Sequence, residues 1–193
     1  MKPVYIKGPW TRGVTLDLHT TDSVFLGYDD QGRPKYDNTR SDIGEALYQL
    51  KYQGDGSAVA YLADQAVRFL SQRAWEADIV VPLPPSKKRK VQPVSLVAAA
   101  VAKRLQWPFE PRALAKIANT PEVKAIEDLE ARKALLAKAF TSDPARVEGK
   151  RVLLVDDLYR SGASMAAATN CLLKAGQAEE VIVLALTRTR IKR

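Results

Sequence analysis

One stretch constrains this chain more than any other: Arg151-Val-Leu-Leu-Val-Asp-Asp-Leu-Tyr-Arg-Ser-Gly-Ala-Ser164. It opens with an apolar run of strand length, Val152 to Val155, and two carboxylates follow at once, Asp156 and Asp157. A short turn over Leu158 to Arg160 leads into Ser161, Gly162, Ala163 and Ser164, and the alanine-rich residues after them read as a helix reaching Lys174. A strand, an acid pair and a small, hydroxyl-bearing loop at a helix start make a place where a sugar diol can sit beside a phosphate.

The flanking segments fit an alternation of strands and helices. Asp78 to Leu83 is a continuous apolar run, as in a parallel strand buried on both faces, and Pro82, Pro84 and Pro85 end it. The basic loop Lys87-Lys88-Arg89-Lys90 follows, and Pro93 suits the first position of a helix over Val94 to Leu105. Arg112 to Ile117 reads as a weaker strand, residues 122–140 as a charged helix whose polar first half suits a lid, and Val181 to Leu186 as the last buried strand. Gly176 stands where a left-handed helix cap is expected. Upstream, Ser41 is an N-cap for a helix from Asp42 with Ile43, Leu47 and Leu50 inward. Gly54 to Ser57 breaks it, and a second helix runs from about Ala58 to Gln72. Lys51, between the two, reads as a solvated surface charge.

Residues 1–40 differ. Three short β-prone runs separated by turns read as a small antiparallel meander, with Val14, Leu16 and Leu18 alternating as on a half-buried strand. His19, the single histidine, reads as structural, because no second ligand accompanies it. The expected architecture is α/β: a parallel sheet flanked by helices over residues 41–193, preceded by the β meander of residues 1–40.

Composition narrows the function classes. A single cysteine, Cys171, excludes a disulfide framework within the chain and a cysteine-based zinc site. No apolar run approaches the roughly 18 residues of a membrane span, and the first residues lack the apolar core of a signal peptide, so a cytoplasmic protein without membrane contact is expected. The net charge of +8 fits polyphosphate-bearing small molecules as well as nucleic acid. No aromatic platform interleaves with the cation clusters, so nucleic acid is possible but not favoured.

The central stretch is neither a P-loop nor a dinucleotide fingerprint, since G-x-x-x-x-G-K-[ST] and G-x-G-x-x-G are both absent. The small residues at 161–164 let backbone N–H groups approach a phosphate, and the helix start adds partial positive charge. Asp156 and Asp157 would repel a further phosphate there but accept hydrogen bonds from vicinal hydroxyls. The basic loop after the strand at Asp78 to Leu83 is a second anion site, at the carboxyl end of a parallel strand. The ligand these features fit is a sugar with phosphates at both ends.

Val155 to Ser164 resembles the phosphoribosyl-pyrophosphate motif of the type I phosphoribosyltransferases. Leu50-Lys51-Tyr52-x-Gly54-Asp55, the strand Asp78 to Pro84 with its basic loop, and Thr120, Arg132 and Phe140 at familiar intervals resemble the ComF-like branch. The branch's frequent four-cysteine zinc ribbon has no counterpart in a chain with one cysteine. Arg160 and Ser164 stand where threonine or serine, and threonine, are common. The resemblance implies an enzyme, a phosphoribosyltransferase. Asp156 and Asp157 would be catalytic and hold the ribose hydroxyls, and Arg160, Ser161, Gly162, Ala163 and Ser164 would bind the 5-phosphate. Leu83, Pro84, Lys87, Lys88 and Arg89 would take the pyrophosphate. Mg2+ would be held mainly by ligand oxygens, with no direct protein ligand. A nitrogenous acceptor is implied, and a homodimer is possible. The resemblance leaves a second reading open: a non-catalytic sensor of phosphoribosyl pyrophosphate, or a nucleic-acid-associated protein of DNA uptake.

Overall fold

The structure is a computed structural model that describes residues 1–85, 92–117 and 139–190. Its centre is a five-stranded sheet in the order β1-β2-β9-β8-β5. These strands are β1 (Val4–Tyr5), β2 (Arg12–Leu18), β5 (Ile79–Pro82), β8 (Arg151–Tyr159) and β9 (Glu180–Arg188). The pairs β2·β9, β9·β8 and β8·β5 are parallel, and β1 joins β2 antiparallel. Two small antiparallel pairs stand apart from it: β3 (Thr20–Tyr28) with β4 (Pro34–Arg40), and β6 (Leu114–Lys116) with β7 (Phe140–Ser142).

Both faces of the sheet are covered, as its apolar strands require. Leu153, Val155, Ile182, Leu184 and Leu186 pack beneath α1 (Asp42–Tyr48), α2 (Ser57–Gln72) and α3 (Pro93–Leu105). Their neighbours in sequence, Val152, Leu154, Val181, Val183 and Ala185, face the other way. There they meet the short α4 (Pro144–Val147) and α5 (Ala163–Lys174), whose Met165, Ala168, Cys171 and Leu172 are buried. The period of two sends alternate side chains into two separate cores. An Arg151–Asp78 clasp fixes the amino ends of β8 and β5: the Arg151 N–H donates to Asp78 Oδ2 at 2.8 Å and Nη2 donates to Oδ1 at 2.8 Å.

The α/β architecture is as expected, with four corrections of detail. Residues 1–40 hold the expected small antiparallel strands, but β1 and β2 also belong to the main sheet. β2 is antiparallel to β1, but its other edge enters the main sheet parallel to β9, and Thr15 and Asp17 are buried along with Val14 and Leu16. Its apparent half-buried alternation concealed a strand covered on both faces. Leu158 and Tyr159 do not form a turn. They extend β8 because β9 continues alongside, pairing Leu158 with Thr187 and Tyr159 with Arg188. Phe140, expected to close a helix, lies in β7, and the rest of that helix, with the polar half expected as a lid, falls outside the described residues, apart from Ala139.

The last correction concerns the end of α5. The left-handed residue there is Gln177, with φ 58°, and not Gly176. Gly176 is needed for space, because a Cβ on it would lie 2.5 Å from Ser142 Oγ and 2.7 Å from Leu172 O. We predict that Gly176→Ala lowers unfolding free energy by about 1–3 kcal/mol through overpacking. Gln177→Gly should be neutral or stabilising by up to about 1 kcal/mol, since glycine relieves the left-handed strain. Urea denaturation of the two variants measures both.

Candidate active site

The carboxyl ends of β2, β8, β9 and β5 gather at one edge of the sheet, where the strands outrun the helices that cover them. β8 delivers Asp156 and Asp157 there. Asp157 follows Leu153 and Val155 on the α1 side, and Asp156 follows Leu154 on the α5 side. The Asp157 N–H donates to Asp156 Oδ1 at 2.8 Å. Burial and the neighbouring Asp157 charge push the Asp156 carboxyl up to about 8, although that N–H and the Lys51 ammonium pull the other way. Asp157 is paired instead with Lys51, whose Nζ lies 2.6 Å from its Oδ2, with both side chains largely buried (15% and 20% exposed).

Lys51 is therefore not the solvated charge its position in the sequence suggested. The helix that begins at Ser41 is held to the end of β2. Ser41 Oγ accepts from the Gly44 N–H at 3.0 Å, as the expected N-cap, and donates to the Leu18 carbonyl. After Tyr48 the winding widens into a π-helical segment, Gln49–Gln53, which ends at Gly54 with φ 71°. Leu50 is buried and anchors this turn, while Lys51 swings in toward the strand ends. A wheel drawn at the α-helical period cannot represent such a turn, and π turns often mark functional positions.

Beside the acids, Thr187 Oγ1 donates to the Asp157 carbonyl at 2.8 Å and lies 3.4 Å from His19 Nδ1. His19 is half-buried, and its N–H donates to the Arg188 carbonyl at 2.8 Å. Burial, then Lys51 and Arg40, hold its pKa below the ordinary histidine value against the pull of Asp157. The lone histidine of an apparently separate segment is thus at the site, because β2 pairs with β9.

Beyond β8 the chain turns into α5. Gly162 caps that helix with φ 75°, and a Cβ on it would lie 2.5 Å from Tyr159 Oη. Glycine is required for backbone conformation and for space alike. Arg160, Ser161 and Ser164 are exposed around it, Ala163 is half-buried, and the Gly162 carbonyl accepts the Ala166 N–H at 2.8 Å. These five residues surround the amino end of a twelve-residue helix, a setting suited to an anion.

At β5, Pro84 is half-buried at the edge of the site. Leu83, expected to contact a ligand, instead fills the α5-side core, and its N–H donates to the Val155 carbonyl at 2.8 Å. Lys87, Lys88 and Arg89 lie outside the described residues. No group of three or more metal-binding side chains occurs among the described residues, and no described helix is long and apolar enough to cross a membrane.

The model of the phosphoribosyl transferase domain matches residues 94–193, just over half of the chain, and the protein belongs to that family. The chain is also similar to competence protein ComFC of Bacillus subtilis, 28% identical over 146 residues. That alignment covers 75% of this chain and 59% of the relative, so the chain spans somewhat over half of the relative's length. Among solved structures, the glutamine phosphoribosylpyrophosphate amidotransferase of B. subtilis aligns with a TM-score of 0.53 at 22% identity, over 81% of this chain and 34% of that one. A structure described as the allosteric regulatory enzyme of purine biosynthesis aligns with a TM-score of 0.50 at 20% identity, over 81% and 34%. These two share the fold.

Two stability predictions follow from the acid pair. Lys51→Met strands Asp157 without its partner and should cost about 1–3 kcal/mol, read from urea unfolding at pH 7. Asp156 has a folded-state pKa above its unfolded value of 3.8, so the folded protein holds the extra proton and stability falls as pH rises from about 4 to about 8. Asp156→Asn should remove this slope, at most about 1.4 kcal/mol per pH unit. Unfolding curves at pH 5 and pH 8 should show the variant gaining on the wild type at the higher pH.

Proposed function

We propose that this protein is a magnesium-dependent phosphoribosyltransferase that binds phosphoribosyl pyrophosphate and transfers its phosphoribosyl group to a nitrogen nucleophile. The observation that carries the reading is the passage from β8 to α5. Asp156 and Asp157 end a buried parallel strand, and Gly162 opens a helix amino end five residues after Asp157. Spacing of this kind matches a ribose whose hydroxyls and 5-phosphate lie a few ångströms apart.

In this reading Asp156 and Asp157 accept hydrogen bonds from the ribose hydroxyls. Arg160, Ser161, Gly162, Ala163 and Ser164 wrap the 5-phosphate through backbone N–H groups, hydroxyls and one guanidinium. Pro84 starts the loop whose Lys87, Lys88 and Arg89 receive the pyrophosphate. As the bond to pyrophosphate lengthens, positive charge develops on the sugar, and the carboxylate of Asp157 is fixed beneath it to stabilise that charge. Lys51 holds Asp157 in position until the donor arrives.

The donor set suits magnesium, since the acids offer hard oxygens and too few of them for an all-protein cage, which favours an ion held largely by ligand oxygens and water. When bound, magnesium supplies positive charge that helps pyrophosphate depart.

Calorimetry of the pure protein with phosphoribosyl pyrophosphate and magnesium is expected to give one site per chain. Binding should disappear in the Asp156→Asn, Asp157→Asn double variant while circular dichroism stays unchanged. A folded wild type that binds no donor would end the proposal. Donor binding without pyrophosphate release across amine and nucleobase acceptors would favour the sensor reading instead.

A further inference from the structure

A displacement at the anomeric carbon needs nucleophile and leaving group on opposite sides of it. With pyrophosphate at the loop after β5, on one side of β8, the acceptor approaches from the other side, where β9 and β2 end. This placement rests on the donor reading above. The groups gathered there are cationic. Arg188 continues the alternation of Leu184 and Leu186 toward the α1 side of the sheet, the side that Asp157 and Lys51 share. Its Nε is fully buried, with no hydrogen-bond partner, and Arg188 takes part in none of the described ion pairs.

That nitrogen has no accessible surface, so a ligand meets only the remainder of this half-buried residue, whose charge no described ion pair neutralises. The nearby carboxylates are already committed: Asp157 to Lys51 at 2.6 Å and Glu45 to Arg40 at 3.3 Å. Arg40 also lies flat over the Tyr48 ring, 3.8 Å from its centroid, and Tyr52 stacks beside Tyr48 with centroids 5.0 Å apart. The same edge thus offers an unsatisfied cation and aromatic faces. His19, whose pKa is lowered by burial and then by Lys51 and Arg40, lies beside Thr187.

We propose that His19, Arg40, Lys51 and Arg188 form the acceptor subsite and that it selects a planar nitrogen nucleophile carrying a carboxylate. The carboxylate pairs with Arg188, a half-buried cation outside every described ion pair, and the ring lies along the Tyr48–Tyr52 side. The acceptor nitrogen forms a bond to the anomeric carbon, the carbon–oxygen bond to pyrophosphate breaks with its electron pair leaving on pyrophosphate, and the proton lost by the nitrogen passes to water. No oxidant or reductant is involved.

The test uses the full chain saturated with phosphoribosyl pyrophosphate and magnesium. Pyrophosphate release is followed with aromatic carboxylates (orotate, nicotinate, anthranilate) and with uncharged bases (adenine, hypoxanthine, uracil). Release with at least one carboxylate, and at least tenfold faster than with any uncharged base, is expected. Arg188→Gln should raise the KM for that carboxylate about ten- to hundredfold, while donor affinity by calorimetry moves less than about threefold. Arg40→Gln, at the rim, should do the same more weakly and guards against loss of folding in the first variant. Absence of donor binding would remove the donor reading and this one with it. Donor binding with no release from carboxylates, faster release with uncharged bases, or an unchanged carboxylate KM in both variants would overturn the acceptor assignment alone.

Discussion

A parallel strand buried on both faces must end somewhere, and the ends are where its polar groups can be used. β8 is such a strand. Its apolar half, Val152 to Val155, is fully enclosed between the cores under α1–α3 and under α5. Its next two residues are acids that no apolar layer can accept. Everything at the site follows from that transition. The acids lie where the sheet outruns its helices, α5 begins a few residues later, and the neighbouring strands bring their own ends to the same edge. Enclosure makes the strand rigid, and rigidity lets two adjacent carboxylates be held in unlike environments.

The unlikeness is electrostatic. Two carboxylates on consecutive residues repel each other, and partial burial strengthens that repulsion. The protein relieves it asymmetrically. Asp157 receives an ammonium from Lys51, while Asp156 receives an N–H and holds its proton more tightly than a free carboxyl. A cation-bearing ligand complex reaching this edge meets one acid paired with an ammonium and one that holds its proton more tightly than a free carboxyl. The cost of keeping the acids there is met by the packing around them.

Much of this was legible in the sequence. The strand–acid–glycine–helix order of residues 151–174, the N-cap at Ser41 and the proline that opens α3 all depend on neighbours within a few residues, and local chemistry decides them. Lys51, His19 and Arg188 were not legible in that way. Each sits on a different element, and they meet only because Ser41 ties α1 to the end of β2 and β2 lies against β9. The repeated alternation in β2 looked half-exposed because a pattern of two cannot tell which faces a distant strand will cover. Gly176 and Gln177 make the same point on a smaller scale: the glycine went where space was short and not where the backbone turned left-handed.

The sequence by itself determined the class of fold and the order of strand, acid pair, glycine and helix start at the candidate site, because each of these depends on neighbours a few residues away. The tertiary structure decided the rest: which strand β2 joins, that a π-helical turn brings a lysine onto an acid, and that an arginine at the end of β9 is left with a buried nitrogen unfilled. These depend on contacts between distant residues, such as Thr187 and His19, which lie 168 positions apart. Local propensity carries no information at that range; only the closing of the sheet supplies it.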